Sequence, residues 1–561
     1  MEIEERQPVL TGLTSQGPSG RRPSVAKYVL IGLVAGSVVL GGVLVLLPSQ
    51  RPTAAPPASG PAARAATAVG AGVPAALPDL VALIGDHEAH LRVHPRDERS
   101  WAVLGAAYVE QGRRTATPAY FPKAEQALRT SLETKPKGNV TAVEGLAALA
   151  NARNDFRTGR KWAEEALKLA PKRWTAYPLL IDSCSGLGDY KASRSALEKL
   201  QGLHHGPPVL AEAAQVYWDR GWREDAVASL ADAAAAATAP AERATWLAQT
   251  GRLSWERGDR EESLRYYEAA LSIDPDQHGA LAGQGRALAA LGRSAEALRA
   301  YQTALAQEPD PRYALELGEL YETLGARDAA QTQYALLRER VRTDAAAGVD
   351  NELVLGLFEA DHGDPEEAVR LLREEWARQP GVAVADALGW ALHRAEEDEE
   401  ALKFATTATD KTKGGGVRSA LYVYHRGQIE RELGLLAPAR RHLAESLQIN
   451  PYFSPVLAPQ ARQDLAALGE PPAEPPPEPK DETPAEPEGA AGPPGTAVNP
   501  ASPASPASPA SPASPANPAN PVNPVNPAAP RATRRPRPQA SASAPASVPA
   551  PAPAPRRTAS H

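Results

Sequence analysis

The chain has 561 residues but only one cysteine, Cys184, one methionine and five phenylalanines. A lone cysteine excludes an intramolecular disulfide framework and the paired C-x-x-C spacing of zinc and redox sites. At its place in the pattern below, Cys184 reads as a small side chain in a core rather than a reactive thiol. Charge of one sign is lacking too. Sixty Lys and Arg stand against 67 Asp and Glu, interspersed, for a net charge of −7. No basic stripe offers the phosphate-neutralising footprint that nucleic acid requires. The signatures G-x-x-x-x-G-K-[ST], H-E-x-x-H and G-x-S-x-G are absent as well. Neither catalysis nor a cofactor is expected.

What the sequence does hold is a period. In SWAVLGAAYVEQG, Trp101, Leu104, Gly105 and Tyr108 fall at i, i+3, i+4 and i+7. That spacing makes one stripe of an amphipathic helix, with a glycine where a neighbour must come close. Ala124, Leu128 and Ser131 then share a second helical face, and Pro136 stops the run. The pattern returns as Leu281, Gly285, Leu288, Gly292, Ala297, Tyr301, Ala304 and Pro309, preceded by Leu247, Gly251, Gly258, Tyr267, Ala270 and Pro275. Gly251 and Gly285 are 34 residues apart, as are Pro275 and Pro309.

These offsets resemble the tetratricopeptide repeat, with its W-x2-L-G-x2-Y, A-x3-F and P positions. Ten units follow, centred near Gly105, Ala147, Ile181, Ala214, Gly251, Gly285, Gly318, Gly356, Gly389 and Gly427. The expected fold is an all-α solenoid of about ten such helix pairs over residues 79–469. The segments PDLVALIGDHEAHLRVHP and APQARQDLAALGE read as caps that close its two apolar ends. Irregular loops interrupt the period at RRTATPAYFP, at Thr238 to Pro240 and at DKTKGGG, Asp410 to Gly416.

The ends differ from the array. Tyr28 to Leu47 carries no charge over twenty residues, long enough at about 1.5 Å per residue to cross a bilayer of about 30 Å. Residues 28–47 are therefore read as a transmembrane helix. Arg21, Arg22 and Lys27 precede it, which favours a cytoplasmic segment 1–27 and an extracytoplasmic array held at a cytoplasmic membrane. Gly32 and Gly36 give the spacing through which two such helices would pair as a homodimer. Residues 48–78 read as a Pro/Ala-rich linker, and residues 470–561, rich in Pro, Ala and Ser, as a disordered tail. The arginine- and alanine-rich usage suggests a bacterial source.

By resemblance to the repeat class, the first helix of each pair lines a concave groove that takes a peptide or a partner helix. Residues one step round from the core stripe are Asn151, Asp182, Gln215, Trp218, Arg252, Trp255, Arg286, Glu319, Glu322, Asp386, Trp390, His393, Tyr424, Gln428 and Arg431. Of these, Asn151, Gln215, Trp218, Arg252, Trp255, Arg286, Trp390, Tyr424 and Arg431 are the expected partner-binding residues. Arginine and aromatic side chains most often anchor interfaces, although the tryptophans could equally pack between helices. His87, His90 and His94 in DHEAHLRVH lie on one helix and read as packing on the first repeat, so no metal site is expected; the alternative is a zinc or nickel site in a metal-handling accessory protein. The segment LRVHPRDERSWAVLGAAYVEQG is similar to the periplasmic repeat domains of cytochrome c maturation factors, which would imply binding of a CXXCH segment. The expected function is that of a membrane-anchored scaffold for protein or peptide partners.

Overall fold

The computed structural model describes residues 60–410 and 416–469. They form 23 helices and no strands. Ten consecutive pairs make up the array. The first, or A, helices are Glu98–Arg114, Val140–Ala152, Ala176–Gly186, Pro207–Asp219, Pro240–Glu256, His278–Ala290, Pro311–Thr323, Glu352–His362, Val382–Arg394 and Ala420–Glu432. Their B partners are Tyr120–Thr134, Phe156–Leu169, Tyr190–Leu203, Arg223–Ala236, Arg260–Ile273, Ser294–Gln307, Arg327–Ala346, Pro365–Arg378, Asp398–Thr409 and Leu436–Ile449. Each of the ten centres read from the sequence falls in an A helix.

The glycine found at seven of the ten centres has a steric reason. A Cβ on Gly318 would sit 2.2 Å from the Tyr334 ring of the paired B helix, and one on Gly285 would sit 2.7 Å from Tyr301. The B-helix aromatic is thus seated against bare A-helix backbone. Tyr334 and Tyr267 are among the largest fully buried side chains. The A helices end alike in every repeat but the eighth, where Gly363 has φ −134°. In repeat 3, Gly188 has φ +70° and the Asp189 N–H donates to the Cys184 carbonyl, closing the left-handed C-terminal cap. Repeat 9 puts Glu396 in the same conformation at φ +63°, with the Glu397 N–H on Leu392 O.

The expected caps are the helices Leu77–Val93 and Leu457–Ala467. Residues 61–70, read above as linker, instead form a helix, Pro61–Gly70. Its proline stands at the helix start, where no N–H is needed. Ala65 packs against Leu80, Leu83 and Ala107, and Arg64 donates to both oxygens of Asp79 at 2.6 and 2.9 Å. An alanine stripe has too little hydrophobic contrast to show as a period in the sequence. The segments expected at 1–27 and 28–47, the Gly32/Gly36 pair and the tail 470–561 lie outside the described residues, as do 411–415 of the DKTKGGG loop. Among the described residues, no helix is long and apolar enough to cross a membrane.

The array also touches itself. Arg114 at the end of the first A helix pairs with Asp274 at 2.7 Å, and its carbonyl meets His278 Nε2 at 2.8 Å. The second A–B turn is held twice. The Asp350 N–H donates to Arg153 O and Asn154 Nδ2 to Asp350 O, while Gln379 accepts from Phe156 N–H and donates to Asn154 O at 2.8 Å. In the fourth turn Gly221 lies against the Gly416 carbonyl, and in the fifth Asn450 Nδ2 donates to Trp255 O at 2.8 Å. Turns of the first five repeats therefore dock on segments of the last five, forming a polar seam between successive superhelical turns.

Candidate binding grooves

Residues one step from the core stripe of an A helix face inward, so the groove is built where A helices follow one another. A cavity of about 390 Å³ runs along the A helices of repeats 1 to 5, bordered by Val69 and Pro74 of the N-terminal segment. A second, of about 450 Å³, lies between repeats 2 to 5 and repeats 7 to 10, across the seam. A third, of about 470 Å³, is enclosed by the A helices of repeats 7 to 10 and the last helix. Trp255, Arg286 and Tyr301 face a fourth, of about 310 Å³, whose far wall is Pro451 to Arg462.

The expected groove residues divide among these spaces. Gln215 and Arg252 line the first two, and Arg252 is exposed there. Asn151 acts as a clamp between repeats, donating to Leu179 O at 2.9 Å and accepting from the Ser183 hydroxyl at 2.7 Å. Trp390, Tyr424 and Arg431 meet at the third cavity with His393 and Gln428. There Trp390 donates to Asp361 at 2.9 Å, stacks on His425 at 4.2 Å, and Arg431 pairs with Asp464.

The aromatic anchors are mostly core. Trp218, Trp255 and Trp390 are only 8%, 5% and 3% exposed, and Tyr424 is buried beside them. They present an edge to the groove while their faces fill the space between helices, the packing alternative raised by the sequence. Asp386 likewise turns inward, sharing its carboxylate with His425 Nδ1 at 3.0 and 3.1 Å. Cys184 is fully buried, and that burial pushes its thiol up to about 11, away from the thiolate.

The three histidines do not converge. Among the described residues the one trio of carboxylate or imidazole ligand atoms within 4.8 Å of one another is Asp350, Glu352 and Glu375. Arg378 already bridges all three, at 2.8 Å to Asp350 and 2.7 Å to Glu352. His90 instead meets Asp97 at 3.0 Å and lies 4.6 Å from the His94 ring, while His87 is half-buried and burial lowers its pKa. Glu397 and Glu400 pair with Arg373 at 3.3 and 3.1 Å.

Charge in the grooves is otherwise matched. Glu144 pairs with Arg173, Glu316 with Arg286, Asp361 with Arg394 and Asp464 with Arg431. His362 sits between Glu319 at 3.7 Å and Glu322 at 3.5 Å. Burial lowers its pKa, but the two carboxylates outweigh burial and the net shift is upward. Three carboxylates break the rule, Asp182, Glu212 and Asp219, all on the A helices of repeats 3 and 4. Burial is the first cause that raises two of them, Asp219 to about 6 and Glu212 well above its usual range. The sequence reading had Asp182 and missed Glu212 and Asp219. Their signal was present, since Glu212, Gln215 and Asp219 fall at i, i+3 and i+7 on one helix.

Comparison with known proteins agrees with the repeat. Residues 254–315 match the family model described as Tetratricopeptide repeat, and residues 64–145 match Bacterial transcriptional activator domain. The second match spans the N-terminal helix, the first cap and the first repeat. No curated protein matches the chain. Similar solved structures include a tetratricopeptide repeat protein from Parabacteroides merdae, 18% identical over 47% of this chain and 98% of that one, with a TM-score of 0.29. MamA is 17% identical over 36% of this chain and 97% of its own, with a TM-score of 0.23. The human IFIT1 dimer with m7Gppp-AAAA is 15% identical over 56% and 72%, with a TM-score of 0.38. The family match over residues 254–315 falls on repeats 5 to 7, and the ten stacked helix pairs continue the same helix-pair unit along the array, which supports a tetratricopeptide-type fold.

Proposed function

We propose that this protein is a membrane-anchored scaffold that holds a polypeptide partner along the inner faces of its A helices, without turnover. The observation that carries the reading is the run of inner cavities lined by consecutive A helices, with Arg252 and Asp182 exposed on their walls. Grooves of this size, edged by a few polar side chains on a rigid frame, suit an extended segment. The uncharged stretch Tyr28 to Leu47 supports the anchor, and the positive residues before it support an extracytoplasmic array in the cell envelope.

Placement of a photo-crosslinking amino acid tests the groove. Substituted at Arg252 it faces the inner cavity, and at Arg299 it stands on the exposed side of a B helix. In native membranes, defined adducts from position 252 and none from 299 are expected. Equal adducts from both positions would move the interface off the groove. The anchor is tested separately by alkaline extraction of membranes, in which the full chain stays with the lipid and a chain lacking residues 28–47 is released. A reporter fused after Gly469 that is active only in the cytoplasm would reverse the orientation.

A further inference from the structure

Resting on the groove reading, we infer that the inner walls of repeats 3 and 4 form a pocket for a cationic side chain, a guanidinium or ammonium, carried by the bound segment. The other carboxylates lining the cavities each have an arginine or histidine within 4.0 Å, whereas Asp182, Glu212 and Asp219 have none. Asp182 and Glu212 line the cavity along repeats 1 to 5, and Asp182 and Asp219 together line an adjoining one of about 420 Å³ between the A helices of repeats 1 to 4. The three therefore address one stretch of groove.

Asp219 supplies an independent sign that a partner is missing. It is 6% exposed and lines the cavity. Gln215 donates to its Oδ1 at 2.9 Å, but Oδ2 is closed off from water and has no hydrogen-bond partner. A buried acceptor left unmade costs about 1–3 kcal/mol, so such groups are normally satisfied. A donor arriving with a ligand, after a small rotation of the carboxylate, would satisfy it.

The neighbouring cations set the selectivity. Arg113 is engaged by Glu110 at 3.3 Å. Arg252, exposed at the mouth, has no carboxylate partner and faces the same space. It repels a second positive charge, so the pocket takes one cationic head and directs the next residue of the segment away. Charge-assisted hydrogen bonds from such a head to carboxylates are about twice as strong as neutral ones.

The test uses the full-length chain in detergent at physiological ionic strength. The probe is a short fluorescein-labelled peptide of alternating alanine and arginine, with lysine, glutamine and glutamate counterparts, read by anisotropy. The arginine or lysine peptide should bind, the glutamine peptide at least about tenfold more weakly, and the glutamate peptide not at all. D182N/E212Q should weaken the cationic peptide about tenfold, and R252Q should tighten it a few fold, both with unchanged circular dichroism. Opposite effects from two variants of one wall are not produced by misfolding. Equal binding of the glutamate peptide, or indifference to both variants, would overturn the pocket. If position 252 still crosslinks a partner in that case, the groove reading survives and only its cationic specificity fails.

Discussion

Replacing Asp219 by asparagine should stabilise the protein at neutral pH and leave it unchanged in acid. Asp219 is nearly closed off from water, and burial raises its carboxyl from 3.8 to about 6, against the hydrogen bond of Gln215 and the charge of Arg252. A folded value above the unfolded one means the native state holds the proton more tightly. Native stability from this group is thus full below pH 4 and is lost as pH rises through about 6. A displacement of about two units corresponds to roughly 3 kcal/mol at most. Asparagine keeps the acceptor for Gln215 and has no charge to bury. The variant should melt about 3–4 °C above the wild type at pH 7.5, taking roughly 2 cal/mol/K of unfolding entropy per residue over the array. At pH 4 the two curves should coincide. Circular dichroism melts of both proteins at the two pH values decide it, and Asp344, also raised to about 6, largely cancels in the difference. An asparagine variant that melts lower at pH 7.5, or differs equally at both pH values, would refute the burial argument.

Gly318→Ala should lower stability by about 1–2 kcal/mol, because the Cβ clash with the enclosed Tyr334 ring exceeds the gain in helix propensity of about 1 kcal/mol. Gly85→Ala, with open space around its Cβ, is the control and should raise stability by up to about 1 kcal/mol in the same urea titration. Gln379→Ala strips the Phe156 amide of its acceptor and Asn154 O of its donor, so hydrogen exchange at Phe156 should accelerate while the core of repeat 6 is unaffected. Equal acceleration in both places would mean the seam is not a local structure. Cys184 should resist iodoacetamide in the native protein at pH 8 and react in urea, as mass spectrometry would show; rapid native labelling would contradict its burial.

Much of the array was legible because its signal is local. A glycine on one helix and an aromatic or leucine on the next, such as Gly318 with Tyr334 or Gly105 with Leu128, recur at fixed offsets. What failed to show was whatever depends on distance along the chain. Asn154 and Gln379 are 225 residues apart, and nothing near either residue announces the other. The side chains counted as groove-facing were displaced for the same reason. Trp390 is covered by His425 of the next repeat, and Arg286 of the next repeat lies 5.8 Å from the Trp255 ring, so one helix taken alone overstates their exposure. The helix Pro61–Gly70 was hidden by its composition, since alanine packs in a core without marking a stripe.

The seam changes how this chain would fold and how it tolerates loss of sequence. A stack of helix pairs that touches only its neighbours can nucleate anywhere and fray from either end, one unit at a time. Here Trp255 O waits for Asn450, and the Arg153–Asn154 turn waits for Asp350 and Gln379. Those contacts have high sequence separation, which slows their formation and makes them late events. Removing the last repeat would therefore loosen the fifth as well as the ninth, and the array behaves less like a string of independent units than like a coil of rope whose second loop pins the first.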